Sequence, residues 1–277
     1  MSAEQPTTAN SAPKTDEKEM PFLDHLEELR SRLIKVLLSV AFFTALSWFF
    51  IERIFDFLVM PYRQAVVLAK AQVQDPATLE SVRLIFTNPT GGFMIYIKLA
   101  ITVGILFSIP VIVFQVWQFI APGLLLRERR IAVWVVFFTT ICFMAGALFC
   151  YYVVLKYGLG FLLTFQSDVL TPMVSIDEYF GFVTILLIVF GLVFEMPVIA
   201  FFLTKIGLLT PEFMRQKRRY SIVAIFVAAA VLTPSTDAFT MMLLVLPLLV
   251  LYEISIWVSK AALPKEMKAA LGDVATS

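Results

Sequence analysis

Long apolar stretches separated by short charged ones set the plan of this chain. The runs at 33–51, 93–119, 131–155 and 180–203 are each long enough to cross a hydrocarbon core of about 30 Å as a helix. Two more runs follow at 220–232 and 239–258, and the first of these has only about 20 Å of helix in it. The pattern predicts an all-α polytopic membrane protein with six transmembrane helices, the last two short and paired as a hairpin, with bilayer thinning or tilting around them. A proline inside a helix leaves the carbonyl four residues back without its donor. On that ground Pro110 predicts an interruption of the second run, Pro197 a kink in the fourth and Pro247 a break in the sixth.

Ahead of the first run, Phe22, Leu26, Leu29 and Leu33 recur every three or four residues, and Asp24, Glu27, Glu28, Arg30, Ser31 and Arg32 take the other faces. That spacing predicts an N-terminal amphipathic helix lying at the membrane interface before the chain turns in. Residues 1–20 are polar and carry no apolar core of a cleaved export signal, so they are expected to form a disordered tail. The reading is thus a tail at 1–20, a single six-helix domain at 21–258 and a second tail at 259–277. The connection from 52 to 92 has room for short helices of its own and is punctuated by Pro61, Pro76 and Pro89.

Composition agrees: 60% of the 277 residues are apolar, and mean hydropathy is +0.86. A soluble domain has nearer half. The net charge of +1 gives no basic excess for a general nucleic-acid binder. Charge placement is more telling than its total. Of the 22 lysines and arginines, 16 fall at 1–35, 120–130, 204–219 and beyond 259, which are the connections on one side of a six-span chain. The positive-inside rule puts that side, with both termini, in the cytoplasm. Cys142 and Cys150 are about 12 Å apart on one helix, too far for a disulfide. One histidine and no Cys/His pairs leave no raw material for a metal site or a cofactor, and none is expected.

Few polar residues carry chemistry. Glu195 lies ten residues before Lys205, about 15 Å from the cytoplasmic end and near mid-membrane. It is either a functional acid or a protonated carboxyl bonded to a neighbouring helix. Glu128 sits among Arg127, Arg129 and Arg130 after the corner Phe119-Ile120-Ala121-Pro122-Gly123, where it either docks a basic peptide or pairs with its own arginines. Glu27 and Glu28 read as first-turn acids of a helix, His25 as an interfacial residue and Pro61 as a kink. Asp237, after Pro234-Ser235-Thr236, reads as a helix cap.

Four segments resemble one family. Residues 25–33, His-Leu-Glu-Glu-Leu-Arg-Ser-Arg-Leu, are similar to its N-terminal HLxELRxRL signature. Phe119 to Leu124 followed by Glu128-Arg129-Arg130 resembles its first cytoplasmic loop; Phe190-Gly191-Leu192-Val193-Phe194-Glu195-Met196-Pro197 resembles its fourth-span FGxxFExP; and Thr233-Pro234 with Asp237 resembles its TPxxD turn. The family is TatC, the multispanning receptor subunit of the twin-arginine protein translocase. The resemblance implies a protein of the bacterial cytoplasmic (inner) membrane that is not an enzyme. Such a receptor recognises twin-arginine signal peptides of folded cargo and works with single-span TatA and TatB, with other TatC copies and with the protonmotive force. It also implies that Glu28 and Glu128 contact the arginine pair with Phe119 and Arg30 in support, that Glu195 is the buried acid, and that Pro61 and Asp237 are externally placed functional positions.

The chemistry fits that assignment. Adjacent arginines on an extended peptide point to opposite sides, so two carboxylates on separate elements are needed to hold both. Guanidinium suits bidentate pairing with a carboxylate and lysine does not. A secondary transporter with an intramembrane glutamate is the alternative reading, but it would need several convergent polar groups at the midplane. An intramembrane hydrolase would need a nucleophile and base at depth, which the spans do not supply.

Overall fold

The computed structural model describes residues 22–70, 84–85, 90–120, 129–164, 174–233 and 237–263. The first helix, α1 (Phe22–Phe49), runs 28 residues without interruption because it holds neither glycine nor proline. The expected interfacial helix and the first span are therefore one rod, with Leu26, Leu29 and Leu33 exposed on its surface. After Phe50, α2 (Ile51–Lys70) occupies the long connection with Pro61 inside it, and it buries Leu58, Val59, Tyr62, Ala65 and Ala69.

The second span is α3 (Gly91–Ile120), and its helix continues through Pro110 rather than stopping there. Prolines are tolerated in apolar surroundings because the chain on either side has no water to turn to and stays bonded to itself. The third span comprises α4 (Arg129–Phe149), a π turn (Cys150–Val154) and α5 (Leu155–Thr164). The fourth is α6 (Ile176–Phe194) and α7 (Met196–Lys205), divided at Glu195, as the nearby Pro197 predicts. Two-residue strands β1 (Leu84–Ile85) and β2 (Val174–Ser175) pair in parallel, Leu84 opposite Val174.

Gly207, at φ 78°, ends α7: its amide reaches the Thr204 carbonyl at 3.1 Å and Leu208 N–H reaches the Leu203 carbonyl at 2.9 Å. The side chain of Thr210 then caps α8 (Pro211–Leu232), accepting from the Phe213 amide at 3.2 Å. The helix thus begins nine residues before the apolar run at 220. Its first turns, with Arg215, Lys217, Arg218 and Arg219, are polar. The last helix, α9 (Ala238–Ala262), also passes through its proline, Pro247, unbroken. Among the described residues, five rods meet the length and apolarity needed to cross a membrane: Leu26–Phe49, Gly91–Phe119, Trp134–Thr164, Ile176–Lys205 and Ala238–Ala262. These helices make the chain a membrane protein.

The centre of the bundle is α6, whose Phe180, Val183, Leu186 and Phe190 are almost wholly buried against Ile95 and Leu99 of α3 and Leu155 of α5. Two glycines bring α4 and α6 together. A Cβ on Gly146 would lie 2.5 Å from the Phe190 carbonyl oxygen, and one on Gly191 would collide with the Phe143 ring. Buried hydroxyls of Ser108, Thr204 and Ser255 donate to carbonyls four residues back in their own helices. Thr204 and Ser259, both fully buried, also meet at 2.7 Å and pin α7 to α9.

Candidate functional site

The start of α1 and the end of α3 share one end of the bundle. Glu28 lies one helical turn before Arg32, the spacing at which helical side chains meet. Arg32 Nε donates to Glu28 Oε1 at 3.0 Å, and Nη2 donates to the same oxygen. The remaining nitrogen, Nη1, donates to Gln118 Oε1 at 2.7 Å. Both charged side chains are largely shielded, 21% exposed for Glu28 and 16% for Arg32. Glu27, Ser31 and Lys35 complete the walls of a cleft of about 420 Å³.

Phe119 follows Gln118 in the last turn of α3 and is half-buried. Glu28 and Phe119 are thus brought to one end of the bundle, while Arg30 is exposed on α1 and does not touch Glu28 through any described bond. Glu128 lies outside the described residues; α3 ends at Ile120 and α4 begins at Arg129 at this same end. Sequence reasoning missed Arg32 and Gln118. The spacing of Glu28 and Arg32 was a usable signal, whereas nothing local marks Gln118.

The junction depends on a close approach further along α1. At Gly104 of α3 an added Cβ would lie 2.7 Å from the Thr44 amide nitrogen and 2.8 Å from Thr44 Cα. The contact of α1 with α3 is the most extensive between any two helices here, and most other faces of α1 are open.

Glu195 ends α6 and begins α7. Its amide donates to the Leu192 carbonyl three residues back at 3.1 Å, a tightened turn beside Pro197. The carboxyl is buried, 6% exposed, and faces Thr139 and the Phe143 backbone of α4. Neither of its oxygens makes a well-aligned hydrogen bond among the described residues, and Thr139 and the Phe143 backbone are its polar neighbours. A buried acid in that condition is costly to fold. Toward Lys205 an apolar groove of about 650 Å³ opens between α4 and α7, lined by Trp134, Phe138, Cys142, Pro197 and Phe201.

At the opposite end, Asp237 caps α9: its Oδ1 accepts from the Thr240 amide at 2.7 Å and its Oδ2 from the Thr240 hydroxyl. Pro61 is fully buried within α2. Lys98 of α3 reaches Asp177 at the start of α6 at 3.1 Å across this end.

Fold and site together define a polytopic helical membrane protein with a guanidinium–carboxylate cleft at one end and a buried acid, Glu195, within the bundle. A family model described as Sec-independent protein translocase protein (TatC) matches residues 24–247. The chain belongs to the TatC family. It is 34% identical over 251 residues to the Sec-independent protein translocase protein TatC of Carboxydothermus hydrogenoformans, covering 91% of this chain and 97% of that one. With the Aquifex aeolicus TatC it shares 37% over 249 residues, 89% and 98% of the two chains. A crystal structure of the twin-arginine translocase receptor TatC matches it with a TM-score of 0.71 at 37% identity, covering 86% of this chain and 99% of that one. The chain is accordingly a membrane-embedded component of a protein translocase.

Proposed function

We propose that this chain is the receptor subunit that captures signal peptides bearing two consecutive arginines, and that the capture site is the cleft around Glu28. The observation that carries the reading is the bonding of Arg32. In the free protein a guanidinium already sits on Glu28 with a second contact to Gln118, the kind of pairing a peptide arginine would form. A carboxylate has about four lone-pair sites and accepts from more than one guanidinium. Glu28 takes one peptide arginine, Glu128 the other, and Phe119 and Arg30 line the approach. The name of the similar crystallised protein, a twin-arginine translocase receptor, points the same way.

The remaining expectations belong to the same proposal. The fifth of the six spans is the apolar half of α8 at 220–232, the chain from 21 to 258 is one six-helix unit, and the cleft end faces the cytoplasm with both termini, in a bacterial inner membrane. Single-span TatA and TatB subunits and further TatC copies assemble around it, and protonmotive force drives folded cargo across. Glu195 serves this assembly as a buried acid, while Pro61 and Asp237 hold the external end.

Affinity of the purified protein for a fluorescent twin-arginine peptide is the test. Glu28→Lys and Glu128→Lys should each weaken binding at least tenfold with the helix content unchanged, and a twin-lysine peptide should bind the native protein as poorly. Equal affinity for both peptides, or charge reversals without effect, would overturn the site.

A further inference from the structure

Pro61 removes a rung from α2. It has no N–H to give to the carbonyl of Phe57, four residues back, and its ring also crowds that turn. In an exposed helix water takes a carbonyl freed in this way. Here Pro61 is fully buried, and the carbonyl it frees is taken by protein.

Two tyrosines from other helices supply it. The Tyr151 hydroxyl donates to the Phe57 carbonyl at 2.6 Å, and the Tyr179 hydroxyl donates to the Leu58 carbonyl at 2.7 Å. The Tyr179 oxygen also lies near the Tyr62 amide, the first N–H after the proline. One phenol therefore holds the carbonyl beside the vacancy, and the other fills the rung the proline cannot make. The rings are fixed as well. Tyr151 stacks on Phe57 with centroids 4.4 Å apart and planes 5° from parallel, while Tyr179 meets Tyr62 edge-on at 5.4 Å. Both tyrosines are buried, 5% and 3% exposed.

Tyr151 lies in the π turn Cys150–Val154, where the ladder accommodates an extra residue and the helix widens. In an unbroken α-helix the residues after that point would be rotated relative to those before it by about a further 100°. The π turn is thus tied to the direction in which the third span presents Tyr151, and Tyr179 projects from the first turns of α6. Neither tyrosine falls in any of the four family-like segments.

We infer that Tyr151 and Tyr179 are positioning residues that act at Pro61, Tyr151 taking the carbonyl the proline leaves without its amide and Tyr179 the adjoining one, and so clamp α2 to the third and fourth spans. Pro61 and the two phenols form one unit: the proline creates the vacancy, Tyr151 fills it and Tyr179 holds the carbonyl next to it. The unit operates without the peptide cleft, at the other end of the molecule.

The test is a mutant cycle on the purified full chain, read as the thermal unfolding midpoint in detergent without peptide. Tyr151→Phe keeps the ring and removes the bond, and should lower the midpoint by about 2–4 °C. In a Pro61→Ala background the new amide takes the Phe57 carbonyl, so adding Tyr151→Phe should then cost under about 1 °C. An equal loss in both backgrounds, or no loss in either, overturns the inference. If Tyr151→Phe alone fails to accumulate, recovery of folded protein on adding Pro61→Ala supports the unit and continued failure refutes it. Spin labels on the exposed positions Val67 of α2 and Ile185 of α6 read position directly. Tyr179→Phe should broaden their distance distribution, and an unchanged distribution contradicts the clamp.

Discussion

Arg32 of α1 donates to Gln118 of α3 at 2.7 Å while the rest of its guanidinium holds Glu28, so one side chain closes the cleft and ties two helices together. A peptide arginine reaching Glu28 has to share that carboxylate with a resident cation or displace it. The site as it stands is a self-occupied version of the complex it is proposed to form.

Removing the resident cation should therefore help an incoming one. Arg32→Gln is expected to raise affinity for a twin-arginine peptide several-fold at low salt, because the like charge has gone and Arg32 no longer competes for Glu28. Glu28→Gln should lower it by tenfold or more. Fluorescence anisotropy of a labelled peptide checks both, and equal weakening by the two substitutions would mean that Arg32 is part of the binding surface rather than its competitor. The gain should shrink as salt is raised through the range where the screening length falls from about 10 Å to 3 Å.

Gly104 sets how closely α1 lies on α3. Valine there would press into the Thr44 backbone, and overpacking of this kind costs about 1–3 kcal/mol. Because α1 rests mainly on α3, Gly104→Val should loosen the Arg32–Gln118 junction as well. The expected result is a lower unfolding midpoint together with weaker peptide binding. Gly181 of α6 has open space where a Cβ would go, so Gly181→Ala is the control and should leave both unchanged.

Glu195 is predicted to trade stability for function. Its buried oxygens make no well-aligned hydrogen bond among the described residues, so Glu195→Leu should stabilise the fold by about 1–3 kcal/mol while export of a folded twin-arginine reporter falls. Thermal melts and export assays on the same variant decide the matter. A lower midpoint would show that the carboxyl is satisfied by a bond to α4.

Asp237 works through its cap. Asp237→Ala should cost about 0.5–2 kcal/mol, and Asp237→Asn, which keeps an acceptor for the Thr240 amide, most of that less. The midpoints of the two variants, compared side by side, give the answer.

Much of this architecture was legible because apolar run length is a direct consequence of bilayer thickness. The break at Glu195 followed from Pro197 and the Asp237 cap from the Pro234-Ser235-Thr236 before it, so both could be read locally. Pro110 and Pro247 misled, since a proline kink in an apolar setting need not end a helix. The fifth run hid the true start of α8, whose polar first turns carry a Thr210 cap and an N-terminal Pro211 that hydropathy alone does not register. Gln118, Gly104 and the two tyrosines were invisible for one reason: each acts on a partner far away in sequence, such as Thr44 or Phe57. Gly146 and Gly191 face the aromatic residues Phe190, Phe194 and Phe143, whereas Gly104 meets the Thr44 backbone from within a small-residue row Ala100–Gly104–Ser108.

The central claim is that paired arginines are captured at the cleft where α1 and α3 meet. A peptide carrying a photoreactive group beside its two arginines, irradiated on the full-length protein and mapped by mass spectrometry, measures this directly. The account predicts crosslinks within residues 27–35 and at Gln118, Phe119 or the 121–128 segment, all lost in Glu28→Lys. Crosslinks concentrated near Asp177 and Glu178, at the other end of the bundle, would contradict it.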